Sequence, residues 1–170
     1  MSIRVGLGYD VHAFRPGDGA GDGAGEREEP LVLAGVRIDG HAGLLGHSDA
    51  DAVAHAVADA LLGPAGLPDL GSLFPADDDV YRGASSMELL VDVVGRVHRE
   101  GWRVVNVDVV VNAEAPVLAP HIPAMVTNLS AVVGGAVSVK PKRGEGVGAI
   151  GRAEGIAVWA VALLESGSVP

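Results

Sequence analysis

Near the start of the chain, in "GYDVHAF" (residues 8–14), Asp10 and His12 stand one valine apart. On a β-strand this spacing points a carboxylate and an imidazole to the same face. A second set lies in "HSDADAVAHAVADALLG" (residues 47–63), where Asp51, His55 and Asp59 fall at i, i+4 and i+8 and share one helical stripe. Such a stripe on an otherwise Ala-, Val- and Leu-rich helix faces water, a partner or a site. It reads either as a solvated face with a histidine among acids, or as a metal ligand, His55, whose tautomer a neighbouring Asp fixes. Combined with Asp10 and His12, His55 completes a set of two imidazoles and one carboxylate with a fourth position open. That is the ligand count of a catalytic zinc site rather than of a structural one.

These residues need a scaffold, and the remaining pattern supplies one. "IRVGLGYDVHAF" reads as a strand, and "LVLAGVRI" as a second strand hairpinned onto it. The helix that carries His55 has Ser48 as its expected N-cap, with Asp51 in capping-box register. "SSMELLVDVVGRVHREG" is a second helix, with Ser85 and Glu88 in the same register, and "HIPAMVTNLSAVVG" a third. "WRVVNVDVVVNAEA", "AVSVK" and "GIAVWAVALLE" read as strands, the last apolar at nearly every position and so expected to be buried on both faces. Residues 16–30 are Gly- and Asp-rich, lack core formers and read as a mobile loop. Interleaved strands and helices predict one α/β (α+β) domain over residues 1–170, a single mixed sheet with helices on one face.

Composition narrows the function. The 170 residues suffice for one domain with a core, 48% are hydrophobic and only 4% aromatic, so aliphatic side chains must fill it. A formal charge of −10 argues against nucleic acid or an anionic membrane as partner. There is no cysteine, hence no disulfide and no thiolate nucleophile. The N-terminus is too short and polar for a signal peptide and no apolar run approaches a membrane span, which fits a cytoplasmic protein.

"GYDVHAF", "GHSDADAVAHAVADALLG", "DLGSLFP", "APHIPAM" and "GAIGRAEGIA" occur in an order that resembles the 2-C-methyl-D-erythritol 2,4-cyclodiphosphate synthase family over almost the whole chain, the Gly/Asp-rich insert excepted. The resemblance implies a ferredoxin-like arrangement and a homotrimer with active sites between subunits. It implies a substrate, 4-diphosphocytidyl-2-C-methyl-D-erythritol 2-phosphate, whose own 2-phosphate attacks the β-phosphorus with release of CMP. It further implies Zn²⁺ on Asp10, His12 and His55, and a second divalent ion, Mg²⁺ or Mn²⁺, on Glu145. His47 and Ser48 match phosphate contacts, His47 near the transition state. Asp69 and Gly71 match polyol contacts, and residues 74–78, with Phe74, Asp77 and Asp78, a loop over the substrate. Residues 113–119, with Ala113, Pro116, Val117, Leu118 and Ala119, match the cytosine pocket. Arg152 and Glu154 match residues at the centre of the trimer, whose cavity is a candidate site for an isoprenoid diphosphate.

The chain departs from the family's pattern in places. Lys142, Arg143 and Gly144 stand where threonine hydroxyls are usual, a replacement of hydroxyl donors by cations that also bind phosphate, which makes Arg143 a catalytic candidate. Val117 stands where lysine is frequent and Ala76 where aspartate is usual. These departures keep two other readings open: a binding protein for isoprenoid diphosphates on the same fold, and a zinc-dependent hydrolase of another phosphate ester. "GVGAIG" (residues 146–151) spells a dinucleotide fingerprint, but too little chain follows it to complete a βαβ unit. His41, His98 and His121 read as loop, surface and helix-start residues.

Overall fold

Strand β1 (Ser2–Ala13) alternates strictly: Ile3, Val5, Leu7, Tyr9 and Val11 are exposed, while Gly6 and Gly8 are buried and Asp10 and His12 half-buried on the other face. Helix α1 (Ala52–Ala65) lies across that inner face. Its approach is too close for any side chain on the strand beneath. A Cβ on Gly6 would stand 2.1 Å from the Ala60 carbonyl oxygen, and one on Gly8 1.8 Å from that of Ala56. The two glycines that precede Asp10 therefore let the helix touch the strand, and this contact brings His55 over Asp10 and His12.

The computed structural model describes residues 1–16, 30–46, 48–75, 77–81 and 83–166. His47, Ala76 and nearly all of the Gly/Asp-rich segment, from 17 to 29, lie outside the described residues. The remaining elements are β2 (Pro30–Leu33), β3 (Val36–Ala42), α2 (Leu70–Leu73), α3 (Ser86–Arg99), β4 (Trp102–Asn112), α4 (Ile122–Val133), β5 (Ala136–Lys142), α5 (Gly148–Gly151) and β6 (Gly155–Ser166). Four strands form one mixed sheet in the order β1-β6-β4-β5. β6 pairs antiparallel with both β1 and β4, and β4 pairs parallel with β5. The expectation of a mixed sheet with helices on one face is met, with a two-stranded sheet beside it; β4 and β5 run parallel because α4 carries the chain back over the sheet before β5 begins.

The expected hairpin of the second strand onto β1 does not form. β2 and β3 pair with each other in a separate two-stranded sheet, through a turn at Ala34 and Gly35, both with positive φ (51° and 69°). Positive φ at both central residues is the tight hairpin turn that suits strand twist. β1 is instead occupied along its length by β6, from Ser2↔Ser166 to Ala13↔Gly155.

Helix faces follow their apolar spacing. Leu90, Val93, Val94 and Val97 of α3 and Met125, Leu129 and Val133 of α4 are the buried stripes. In β4 the buried positions switch from Trp102 and Val104 to Val107, Val109 and Val111, because a register shift between Val104 and Asn106 inserts one residue. β6 differs from its sequence reading. Ile156, Val158, Ala160, Ala162 and Leu164 are buried under the helices, but Trp159 and Val161 stay 39% and 43% exposed. The helices cover one face of the sheet, and among the described residues no element covers the other.

Two expected caps are filled by other residues. Asp51, not Ser48, caps α1: its fully buried carboxylate accepts from Val53 and Ala54 N–H and also from Ala34 and Gly35 N–H of the β2–β3 turn. One carboxylate thus ties the helix start to the hairpin. Burial raises the Asp51 pKa, and those N–H donors oppose the rise. Ser85 makes no side-chain cap bond at α3; Asp49 serves instead, accepting from Ser86 N–H at 3.2 Å. "GVGAIG" folds as a tight turn into the four-residue α5: a Cβ on Gly151 would stand 2.4 Å from the Gly146 carbonyl carbon, and Gly146 and Gly148 take positive φ (75° and 66°).

Candidate functional site

Asp10, His12 and His55 each offer one ligand atom, and those atoms all lie within 4.8 Å of one another. His12 Nε2 is 3.0 Å and His55 Nδ1 3.1 Å from Asp10 Oδ2. Strand parity puts the first two on the inner face, and α1 delivers the third from above.

The outer nitrogens are engaged. His12 Nδ1 lies 2.6 Å from the Leu45 carbonyl oxygen, which can only accept, so Nδ1 carries a proton and Nε2 is the nitrogen turned to Asp10. His55 Nε2 lies 2.8 Å from Ser86 Oγ and 3.3 Å from Ser48 Oγ. Burial alone would raise the Asp10 carboxyl, but hydrogen bonds and charge from His12 and His55 outweigh it and hold the pKa well below the usual carboxylate range. The hydrogen bond to Asp10 raises the His12 pKa against the opposing effect of burial. An ionised carboxylate between two imidazoles, each with its far nitrogen occupied, is a donor set that fits a divalent metal ion with an open position.

The triad lines a cleft of about 290 Å³ shared with Ser48, Asp59, Leu70, Gly71, Phe74 and Tyr81. Asp59 spans two elements by accepting from Leu70 N–H at 2.8 Å; burial raises its pKa, and that N–H opposes the rise. Phe74 meets Tyr81 edge-on, with centroids 5.3 Å apart. Asp69 caps α2 through Ser72 N–H at 2.7 Å and is exposed beside the cleft rather than among its lining residues. Asp77 and Asp78 are also exposed and do not line it; Asp78 accepts from Val80 N–H at 3.0 Å.

A second cleft, of about 370 Å³, gathers Ala113, Glu114, Pro116, Val117, Leu118 and Ala119 with Lys142, Arg143 and Glu145. Parallel pairing of β4 with β5 sets Asn112 against Lys142, so the segments that leave both strands meet here. Arg143 is not an unengaged cation: its Nη2 lies 2.6 Å from Glu114 Oε1. Arg152 pairs with Glu154 at 2.6 Å and lines neither cleft. Among the described residues the two clefts share no lining residue.

The structure adds residues that the sequence reading left unassigned. Tyr81 and Leu89 join the first cleft and carry no local signal. Ser86 reaches His55 because α3 packs on α1, and Asp49 reaches Ser86. Asp59 had a signal in its i+4 spacing from His55, and Glu114 lay inside the 113–119 segment without a role.

Comparison with known proteins gives a consistent picture. The YgbB family profile matches residues 3–165. A 2-C-methyl-D-erythritol 2,4-cyclodiphosphate synthase of Bordetella avium is 50% identical over 167 residues, 96% of each chain. The bifunctional IspDF of Campylobacter jejuni superposes with a TM-score of 0.86 and 38% identity, over 98% of this chain and 43% of that one. The CDP complex of Plasmodium falciparum IspF superposes at 0.80 and 31% identity, over 98% and 97%.

Proposed function

The chain belongs to the YgbB family, and on that premise we infer its reaction and the residues that carry it. It makes 2-C-methyl-D-erythritol 2,4-cyclodiphosphate for isoprenoid biosynthesis from 4-diphosphocytidyl-2-C-methyl-D-erythritol 2-phosphate, and it releases CMP. An oxygen of the substrate's 2-phosphate forms a bond to the β-phosphorus. The bond from that phosphorus to the oxygen bridging the α-phosphate breaks, and CMP departs with the electron pair. The nucleophile belongs to the substrate, so the protein's task is to neutralise charge and hold two phosphates in line.

The observation that carries this reading is the convergence of Asp10, His12 and His55 in one cleft of a chain about 50% identical to a synthase over nearly its full length. Asp10 Oδ2, His12 Nε2 and His55 Nδ1 hold a zinc ion, which when bound supplies Lewis-acid polarisation of the β-phosphate. His47 and Ser48 contact substrate phosphate, Asp69 and Gly71 the polyol, and residues 74–78, with Phe74, Asp77 and Asp78, form a loop over the substrate. The second cleft takes the cytidine against Ala113 and residues 116–119. Lys142 and Arg143 contact the diphosphate, and Glu145 holds a second ion, Mg²⁺ or Mn²⁺.

The working unit is a homotrimer of single-domain chains in the cytoplasm, with each site shared between neighbours. Two features favour it. Among the described residues the clefts share no lining residue. The sheet face opposite the helices exposes Val5 and Leu7 at 67% each and Ile3 at 61%, apolar residues of the kind that a subunit interface buries. Three copies around an axis would bring Arg152 and Glu154 together threefold, able to hold an anion such as an isoprenoid diphosphate.

Phosphorus NMR of the purified protein with the substrate tests the reaction. A cyclic diphosphate with equimolar CMP is expected. A linear hydrolysis product would instead make the protein a phosphate-ester hydrolase, and no turnover with retained nucleotide binding would make it a binding protein.

A further inference from the structure

Asp49, Ser86 and His55 form a chain of contacts that no part of the reaction yet uses. Ser86 is only 1% exposed, so water does not compete for its hydroxyl. That hydroxyl has one hydrogen and two neighbours that matter: Asp49 Oδ1, in very short contact, and His55 Nε2 at 2.8 Å. A carboxylate can only accept. The Ser86 hydrogen therefore goes to Asp49, and Ser86 Oγ is left to accept from His55. With a metal ion between Nδ1 and Asp10 Oδ2, which lie 3.1 Å apart, Nδ1 would have to present its lone pair, and this contact leaves Nε2 to carry the ring proton. Ser48 Oγ, at 3.3 Å from Nε2 and 3.2 Å from Ser86 Oγ, is the longer and weaker neighbour of both.

We propose that Ser86, oriented by Asp49, is a positioning residue that fixes the tautomer and ring orientation of His55 and so decides which nitrogen faces the metal. The proposal rests on the reading of Asp10, His12 and His55 as a metal centre. It differs from the expectation drawn from the helix alone, in which a neighbouring aspartate on α1 would orient His55. Asp51 faces the β2–β3 turn and Asp59 faces Leu70, so the orienting group comes from the start of α3 instead.

The same geometry makes the hydroxyl separable from the fold. Asp49 also accepts from the Ser86 backbone N–H, at 3.2 Å to each oxygen, and Ser86→Ala keeps that bond and the start of α3. Asp49→Asn is the sharper change. Its amide can donate to Ser86 Oγ, which turns the hydroxyl hydrogen toward His55 Nε2 and favours the wrong tautomer, as replacing a tautomer-fixing aspartate by asparagine does elsewhere.

The test combines zinc titration against a chelator with nitrogen–proton NMR of the imidazoles in the zinc-loaded protein. In the wild type, His55 should bind zinc through Nδ1 and show a solvent-protected Nε2–H. Ser86→Ala should lose that protection, and both variants should bind zinc about 10- to 100-fold more weakly with unchanged thermal midpoints. Zinc bound through Nε2 in the wild type overturns the proposal, and so do two variants that bind zinc as tightly as wild type. If both variants fail to fold, the wild-type spectrum alone decides. A wild type that takes up no zinc removes the metal centre itself and this proposal with it, whereas uptake through Nε2 removes this proposal only.

Discussion

Replacing Gly8 by alanine should damage both stability and the metal centre, and the structure sets the scale. The new Cβ would stand 1.8 Å from the Ala56 carbonyl oxygen and 2.7 Å from the Ala60 nitrogen. To reach even a 3.0 Å contact, α1 and β1 must separate by about 1.2 Å. The obstacle is helix backbone, which cannot rotate aside as a side chain would. Overpacking of this kind costs about 1–3 kcal/mol, and a backbone clash puts Gly8→Ala at the upper end. For a chain of this size that lowers the melting midpoint by roughly 5–10 °C. The separation also falls between the two elements that share the triad, since Asp10 and His12 are on β1 and His55 is on α1. Metal sites tolerate errors of only about 0.2 Å in ligand distance, so zinc affinity should fall at least about tenfold. Gly63→Ala is the control: it lies in the same helix with nothing within 4 Å of its added Cβ, and should be neutral or slightly stabilising. Urea titration and chelator competition read both quantities. If Gly8→Ala melts and binds zinc like wild type, close contact between α1 and β1 is not what builds the site.

Asp51→Ala removes a buried carboxylate that accepts from four backbone N–H groups, and should lower stability by about 3 kcal/mol or more in urea titration, with Asp51→Asn losing less. Mixing inactive His55→Ala with inactive Glu145→Ala should restore part of the activity, because mixed trimers regain some sites with both residues intact; no recovery would place both residues in one chain's site. Arg143→Ala should weaken binding of CDP more than of CMP, measured by calorimetry, if this Glu114-held guanidinium reaches the β-phosphate. Hydrogen bonds from Lys140, then Ser138, hold the Asp108 pKa below its ordinary value. The stability this gives is present above the unfolded aspartate pKa, near 3.9, and is lost as pH falls through the lower folded value. Lys140→Met should therefore flatten the acid limb of a urea-midpoint-against-pH curve slightly, by no more than about 1 kcal/mol for so exposed a pair.

Much of the site was legible in the sequence because its signals are local. Strand parity alone places Asp10 and His12 on one face, and i+4 spacing alone aligns His55 with Asp51 and Asp59. The order of strands and helices, and the segments around 113–119 and 142–145, followed from periodicity and from resemblance. What the tertiary structure decided depends on which elements meet. Ser48 and Asp51 are both competent caps by type, and only the β2–β3 turn, which presents two more N–H donors to Asp51, selects one. A strand of unbroken apolar residues cannot say how many of its faces the same chain covers; among the described residues β6 is covered on one. Gly6 and Gly8 read as ordinary strand glycines until α1 lies within contact of them. The residue that orients His55 lies 31 positions away, at the start of a different helix. Spacing within a segment can align a histidine with its helical neighbours, but the partner of its outer nitrogen is chosen by packing between helices, which no local pattern encodes.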